Sequence, residues 1–308
     1  MSTEQHPFNI TSAEEAAPRR FGLFRRSRLA RIALYLPILA LVFVFTLRRV
    51  EHFLTYHPTG YKPGPEWTLP PNGEEMWINV AGNQRINAWF LNATTKQPAA
   101  ATVLYCHGNG GNLTNVAWIG IELANQGFDV LLIDYRGYGR SDGEAKDERS
   151  LDADGDAAYD YLVKQRGVKP ERLVIYGSSL GTTVAIDVAS RRACGALVVE
   201  SGLSSASDMG EHSLPMLPRW LHFLGVNRFE SSRKIALVKC PVLIAHGTND
   251  ATIPVAQGRK LYAAANEPKR LLLIEGGTHN LAGEGGEAYL SQIAGFIREA
   301  IGKVASDD

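Results

Sequence analysis

Cysteine is scarce, with three residues in a chain of 308. That is too few for a disulfide scaffold, and the odd count leaves at least one thiol unpaired. No histidine or cysteine pair has the spacing of a zinc site, so neither a metal nor another cofactor is expected. Charge of one sign is not in excess either: 32 acidic residues balance 32 basic ones, which removes the electrostatic basis for a nucleic-acid partner. No internal repeat is visible. No small-x-small cleavage site follows the first apolar run, which argues against a cleaved signal peptide.

That run is present and long. "IALYLPILALVFVFTL" extends uncharged from Ile32 to Leu47, with Arg19, Arg20, Arg25, Arg26, Arg28 and Arg31 before it and Arg48 and Arg49 after it. A bilayer takes roughly 17 to 25 residues, and arginines at both ends lengthen the effective span by snorkelling. Pro37 is tolerable in such a helix. The reading is a single-pass anchor over residues 29–49, preceded by a disordered basic tail over 1–28. The arginine excess on the N-terminal side puts the rest of the chain on the non-cytoplasmic side of the membrane. Pro and Gly crowd the stretch from Tyr56 to Gly73, and 50–73 reads as a linker.

From Glu74 the pattern becomes regular. "EEMWINV" and "QRINAWFLNA" are two strands joined by a hairpin turn at Ala81, Gly82 and Asn83. Apolar strands then alternate with helical stretches centred on Ile119, Ala157, Ala185, Ala263 and Ile293: "TVLYCHG", "DVLLIDYRG", "RLVIYGSS", "ALVVES", "PVLIAHG" and "RLLLIEGG". Such alternation predicts an α/β fold, a mostly parallel sheet covered on both faces and opened by an antiparallel hairpin. Cys194 and Cys240 each precede a strand of consecutive parallel rank, which sets both at one edge of that sheet.

In parallel sheets chemistry collects beyond the carboxyl ends of the strands. Here "HGNGG", "DYRGYGRSDG", "GSSLG", "ESG", "HGTND" and "GGTHN" all follow strands. Ser179 stands at the centre of the Gly-x-Ser-x-Gly frame between Gly177 and Gly181, where a strand-turn-helix sequence pushes its side chain out of the backbone's way. Ser178 occupies the variable position and packs beneath. A serine needs a base, and the base needs a carboxylate to hold its tautomer. In the order Ser, acid, His, the histidine far downstream on a strand-end loop is His279, and the acid is Asp250 in "LIAHGTNDATIP". Glu200, which ends "ALVVES", is the competing acid. The oxyanion donors are the backbone N–H of Leu180, after the nucleophile, and of Asn109, in a loop freed by Gly110 and Gly111. His107 and His246 end strands before glycines and are read as loop braces.

Taken together, "YCHGNGGN", "LIDYRGYGRSDG", "IYGSSLGTTVA", "HGTNDATIP" and "GGTHN" resemble the α/β-hydrolase superfamily over Glu74 to Val304. More narrowly, the chain is similar to the membrane-anchored branch of abhydrolase-domain serine hydrolases. It departs from the depalmitoylating group of that branch in lacking a cysteine-rich N-terminus. The resemblance implies a hydrolase domain over 74–304 with a lid over about 202–238. Within that lid Met209, Leu217, Trp220 and Phe223 are candidates to line an acyl pocket. The expected activity is hydrolysis of carboxylic esters or thioesters of acyl or lipid-like substrates, with membrane lipid as the neighbouring partner. A serine aminopeptidase-like hydrolase is the alternative within enzymes. A catalytically silent membrane-tethered binding protein is the alternative outside them.

Overall fold

Eight apolar runs become the strands of one sheet. The structure is a computed structural model that describes residues 21–216, 218, 221 and 224–304. Two compact units divide the chain, Met1–Thr46 and Leu47–Asp308. In the first, helix α1 (Phe21–Thr55) begins; its large apolar side chains from Ile32 to Phe45 are exposed for the most part. Among the described residues Arg31–Thr55 is the one helix long and apolar enough to cross a membrane, with a mean hydropathy of 1.8 over its best window, and a signal sequence has the same character.

The second unit starts inside α1, and the stretch expected to be a linker is built into it. After the helix, β1 (His57–Pro58) pairs with a later two-residue strand, β5 (Gly110–Gly111). Tyr56 is buried, and backbone bonds run from His57 to Asn109, from Thr59 to Gly111 and from Tyr61 to Gly139. The Pro- and Gly-rich composition that suggested a linker has another cause: these residues satisfy their backbone groups against distant loops rather than in a regular element of their own.

The sheet contains β2 (Gly73–Val80), β3 (Gln84–Leu91), β4 (Thr102–Cys106), β6 (Asp129–Ile133), β7 (Leu173–Ser178), β8 (Ala196–Glu200), β9 (Val242–Gly247) and β10 (Lys269–Ile274). Its order is β10-β9-β8-β7-β4-β6-β3-β2. The β2–β3 hairpin is antiparallel, as is β3 against β6, and all pairings from β6 to β10 are parallel. The hairpin turn needs left-handed backbone at Gly82 (φ 82°) and Asn83 (φ 55°), residue types that accept it at low cost.

Strand alternation sends side chains to two cores. In β4, Leu104 and Cys106 join one cluster and Val103 and Tyr105 the other, and all four are buried. The first core is closed by α3 (Glu148–Asp160) and α4 (Gly181–Arg191), the second by α2 (Leu113–Asn125) and α8 (Leu281–Val304). Asn112 and Asp147 begin α2 and α3 as capping boxes with Asn115 and Ser150, which fixes where the preceding loops end. Between β8 and β9 the insertion carries α5 (Ala206–Ser213) and α6 (Ser231–Ile235), and α7 (Val255–Ala264) follows β9. At the opposite sheet edge from the strand-end loops, Cys194 and Cys240 stand with their Sγ atoms 3.2 Å apart.

Candidate active site

The turn between β7 and α4 holds Ser179 at φ 54°, a left-handed conformation that a non-glycine residue keeps only where its surroundings enforce it. They do so by backbone contact. A Cβ on Gly177 would meet the Gly181 carbonyl oxygen, and one on Gly181 would run into the Cys106 carbonyl oxygen of β4. The Ser179 N–H donates to the Glu200 carbonyl at 2.9 Å, and Thr182 donates to the Ser179 carbonyl through both its N–H (3.0 Å) and its hydroxyl (2.6 Å). Strand β8 and helix α4 thus grip the turn from both sides.

Ser179, Asp250 and His279 come together. His279 Nδ1–H donates to Asp250 Oδ2 at 2.8 Å, which leaves Nε2 as the acceptor for the Ser179 hydroxyl at 2.9 Å. The Asp250 side chain is fully buried, and the other carboxylate oxygen accepts the N–H groups of Thr252 and Ile253, each at 2.8 Å. Burial pushes the Asp250 carboxyl up, but donors from His246, His279 and the Ile253 backbone outweigh it and hold the group well below the ordinary carboxylate range. An anionic Asp250 is therefore present whenever the histidine works.

Asn109 and Leu180 border the same cavity as Ser179. The Asn109 carbonyl is taken by the Tyr138 hydroxyl (2.9 Å) and the His57 N–H (3.1 Å). Among the described residues no protein acceptor takes the N–H of Asn109 or of Leu180. Gly108 packs against Ser179 with room for little more than hydrogen: a Cβ there would lie 3.3 Å from that of the serine. Two free amides beside a serine hydroxyl are what a developing oxyanion requires.

His107 and His246 sit behind this arrangement. His107 Nδ1–H donates to the Gly108 carbonyl at 2.7 Å, and His246 Nε2–H to the Ile253 carbonyl at 2.8 Å, so each braces a loop of the site. Among the described residues no three His, Cys, Asp or Glu side chains gather into a metal-binding cluster.

Glu200, the competing acid, makes no hydrogen bond to His279. Its buried carboxylate accepts the hydroxyls of Tyr176 (a very short contact), Tyr289 (2.8 Å) and Ser178 (3.2 Å). Burial pushes it above its ordinary range, against the pull of those three donors. The next residue, Ser201 (φ 48°), donates from its hydroxyl to the His279 carbonyl at 3.1 Å. Sequence reasoning found Glu200 by its strand-end position but missed its hydroxyl partners, which lie on β7 and α8.

The cavity over Ser179 has a volume of about 210 Å³ and is mostly apolar. Met209 of α5 borders it, while Leu217, Trp220 and Phe223 lie outside the described residues. Leu47, Val50, Glu51, Leu54 and Thr55, at the end of α1, also line it, and no sequence reasoning pointed to them.

A family model described as "Serine aminopeptidase, S33" matches residues 97–228. The Mycobacterium tuberculosis protein Rv2307c is 33% identical over 252 residues, covering 80% of this chain and 88% of its own. YfhR of Salmonella typhi is 31% identical over 290 residues, covering 87% and 95%. Among solved structures, an esterase of Pyrococcus furiosus superposes with a TM-score of 0.64 at 19% identity, over 80% of this chain and 98% of that one. A puromycin-hydrolyzing peptidase of M. tuberculosis does so with a TM-score of 0.60 at 19% identity, over 76% of this chain and 42% of that one.

Proposed function

The chain belongs to the α/β-hydrolase superfamily, and from that premise we propose that this serine hydrolase cleaves carboxylic esters or thioesters through an acyl-enzyme on Ser179. The observation that carries the reading is the pair of hydrogen bonds, 2.8 Å and 2.9 Å, that joins Asp250 to His279 and His279 to the serine held in a left-handed turn. In this mechanism His279 Nε2 takes the hydroxyl proton as Ser179 Oγ attacks the carbonyl carbon. Asp250 holds the imidazole tautomer and stabilises the imidazolium. The tetrahedral oxyanion is received by the N–H groups of Asn109 and Leu180. The imidazolium returns its proton to the leaving alcohol or thiol, and water, deprotonated by His279, then releases the acid.

A fluorophosphonate probe tests the assignment. The purified full chain should label, and Ser179→Ala should abolish labelling and lower ester turnover on the order of a million-fold while the protein stays folded. Retained labelling would move the nucleophile elsewhere. The description of the matching family model favours a second reading, hydrolysis of an aminoacyl amide. That reaction calls for an acidic group to receive the substrate's ammonium. Glu51 is the acid among the described lining residues, and its carboxylate is taken up by three N–H donors. Turnover of aminoacyl anilides above that of simple esters would decide for the peptidase.

The anchor reading rests on the apolar span of α1 and the arginine excess before it, and it places the hydrolase unit on the non-cytoplasmic side. A reporter fused after Asp308 should be active only in that compartment.

A further inference from the structure

The last residue of the apolar run and several that follow it line the cavity that holds the serine. Leu47, Val50 and Leu54 recur at three- and four-residue spacing, one stripe of a helix, and border the same space as Ser179, Leu203 and Met209. We infer that the end of α1 is a wall of the substrate pocket, and that this pocket takes an uncharged, medium-length acyl chain of about eight carbons. The inference rests on the serine-hydrolase reading above and adds the substrate class and the residues that set it.

Three observations carry it. First, the wall is fixed in place. Glu51 accepts the backbone N–H groups of Val226 (2.7 Å) and Asn227 (2.8 Å) and the Asn227 side-chain amide (2.9 Å). The Asn227 side-chain oxygen in turn accepts the Tyr56 hydroxyl (2.8 Å) and the Glu148 N–H (2.7 Å), and His52 bonds to the Ala145 carbonyl at 2.8 Å. One turn of helix is thereby tied to the returning end of the insertion and to the start of α3.

Second, the space offers a charged acyl group no free partner. No lysine, arginine or histidine is among its described lining residues, and Glu51, its acid, is spent on three donors. A charged acyl group would lose its hydration there without gaining a partner.

Third, the volume gives the scale of what the pocket holds. An apolar cavity of about 150 Å³ takes a benzene ring, and on that scale 210 Å³ takes roughly eight carbons.

Acyl-chain profiling of the full chain in detergent tests this, using p-nitrophenyl esters from acetyl to dodecanoyl. The ratio kcat/KM should rise by up to about fourfold per methylene, peak near octanoyl and then fall. Leu54→Trp and Val50→Trp fill the wall and should cut the octanoyl-to-acetyl ratio by about tenfold or more. Leu54→Ala should move the peak to longer chains. Phe53→Trp, one position away on a side chain 71% exposed, should keep the wild-type profile. Fluorophosphonate labelling of each variant shows that its site is intact. Labelled pocket variants that keep the wild-type profile, or a labelled wild type with a flat profile, overturn the acyl wall alone. A wild type that does not label overturns the hydrolase reading and the pocket with it.

Discussion

Two buried carboxylates stand at the ends of adjacent parallel strands behind the same serine, and their surroundings push them in opposite directions. Asp250, just past β9, faces N–H donors: two backbone amides and the rings of His246 and His279. Glu200, at the end of β8, faces hydroxyls: Tyr176, Tyr289 and Ser178. The His246 and His279 rings and the Ile253 amide outweigh the burial of the first and hold it well below the ordinary carboxylate range. Three neutral hydroxyls do not outweigh the burial of the second, and its carboxyl moves up. Position along a strand makes a carboxylate available to a histidine; the kind of donor around it decides whether burial is outweighed.

The comparison is broken most forcefully at Asp250. Its replacement by asparagine should lower kcat/KM by roughly four orders of magnitude, since the amide no longer enforces the Nδ1–H tautomer of His279. Steady-state kinetics that showed the larger loss in Glu200→Gln would transfer the acid to Glu200. A lesser but still large effect belongs to Glu200→Leu, which strands three hydroxyls in the core. Denaturant melts should report a loss of about 3 kcal/mol, with activity falling only as the folded population falls.

The two carboxylates should also separate by pH. The Asp250 value is depressed on folding, so its stabilisation is full above the ordinary carboxylate range and is lost as pH falls toward the folded value. Glu200 is raised on folding, so its contribution is present below that range and is lost as pH climbs through the folded value. Unfolding midpoints taken from about pH 3 to about pH 8 should show the wild-type advantage over Asp250→Asn shrinking toward acid and that over Glu200→Gln shrinking toward base. Parallel curves would remove the contrast. The smallest effect is Ser178→Ala, which takes one hydroxyl from Glu200: about 1 kcal/mol of stability and less than about threefold in rate.

The strands were legible because they are local signals, and the three residues the structure brings together because each stands in a strand-end loop. Each apolar run ended in its own polar, glycine-rich loop, and chain order paired Ser179 with Asp250 and His279. The partners of Glu200 were not legible, since Tyr176 and Tyr289 read as ordinary core aromatics until β7 and α8 meet around it. The end of α1 was misread for a related reason. Hydropathy stops at Arg48, while the helix continues to Thr55. Glu51 looks like any helix-surface acid until Asn227, 176 positions away, is brought to it. Strand order likewise depends on crossovers: β4 between β6 and β7 leaves no mark in either neighbour's composition.

The close crossing at Gly177 and Gly181 has a consequence for folding. The left-handed turn at Ser179 is maintained by backbone from β4 and β8, and the histidine that meets the serine is 100 positions further along. These are spread from Thr102 to His279, so no single hairpin or strand-helix unit contains them all. The arrangement of hydroxyl, imidazole and free amides should therefore appear late and all at once, when the long-range strands have paired. Reactivity toward a serine-directed probe then measures the fully native population, and along a melting curve it should vanish in step with the loss of the sheet.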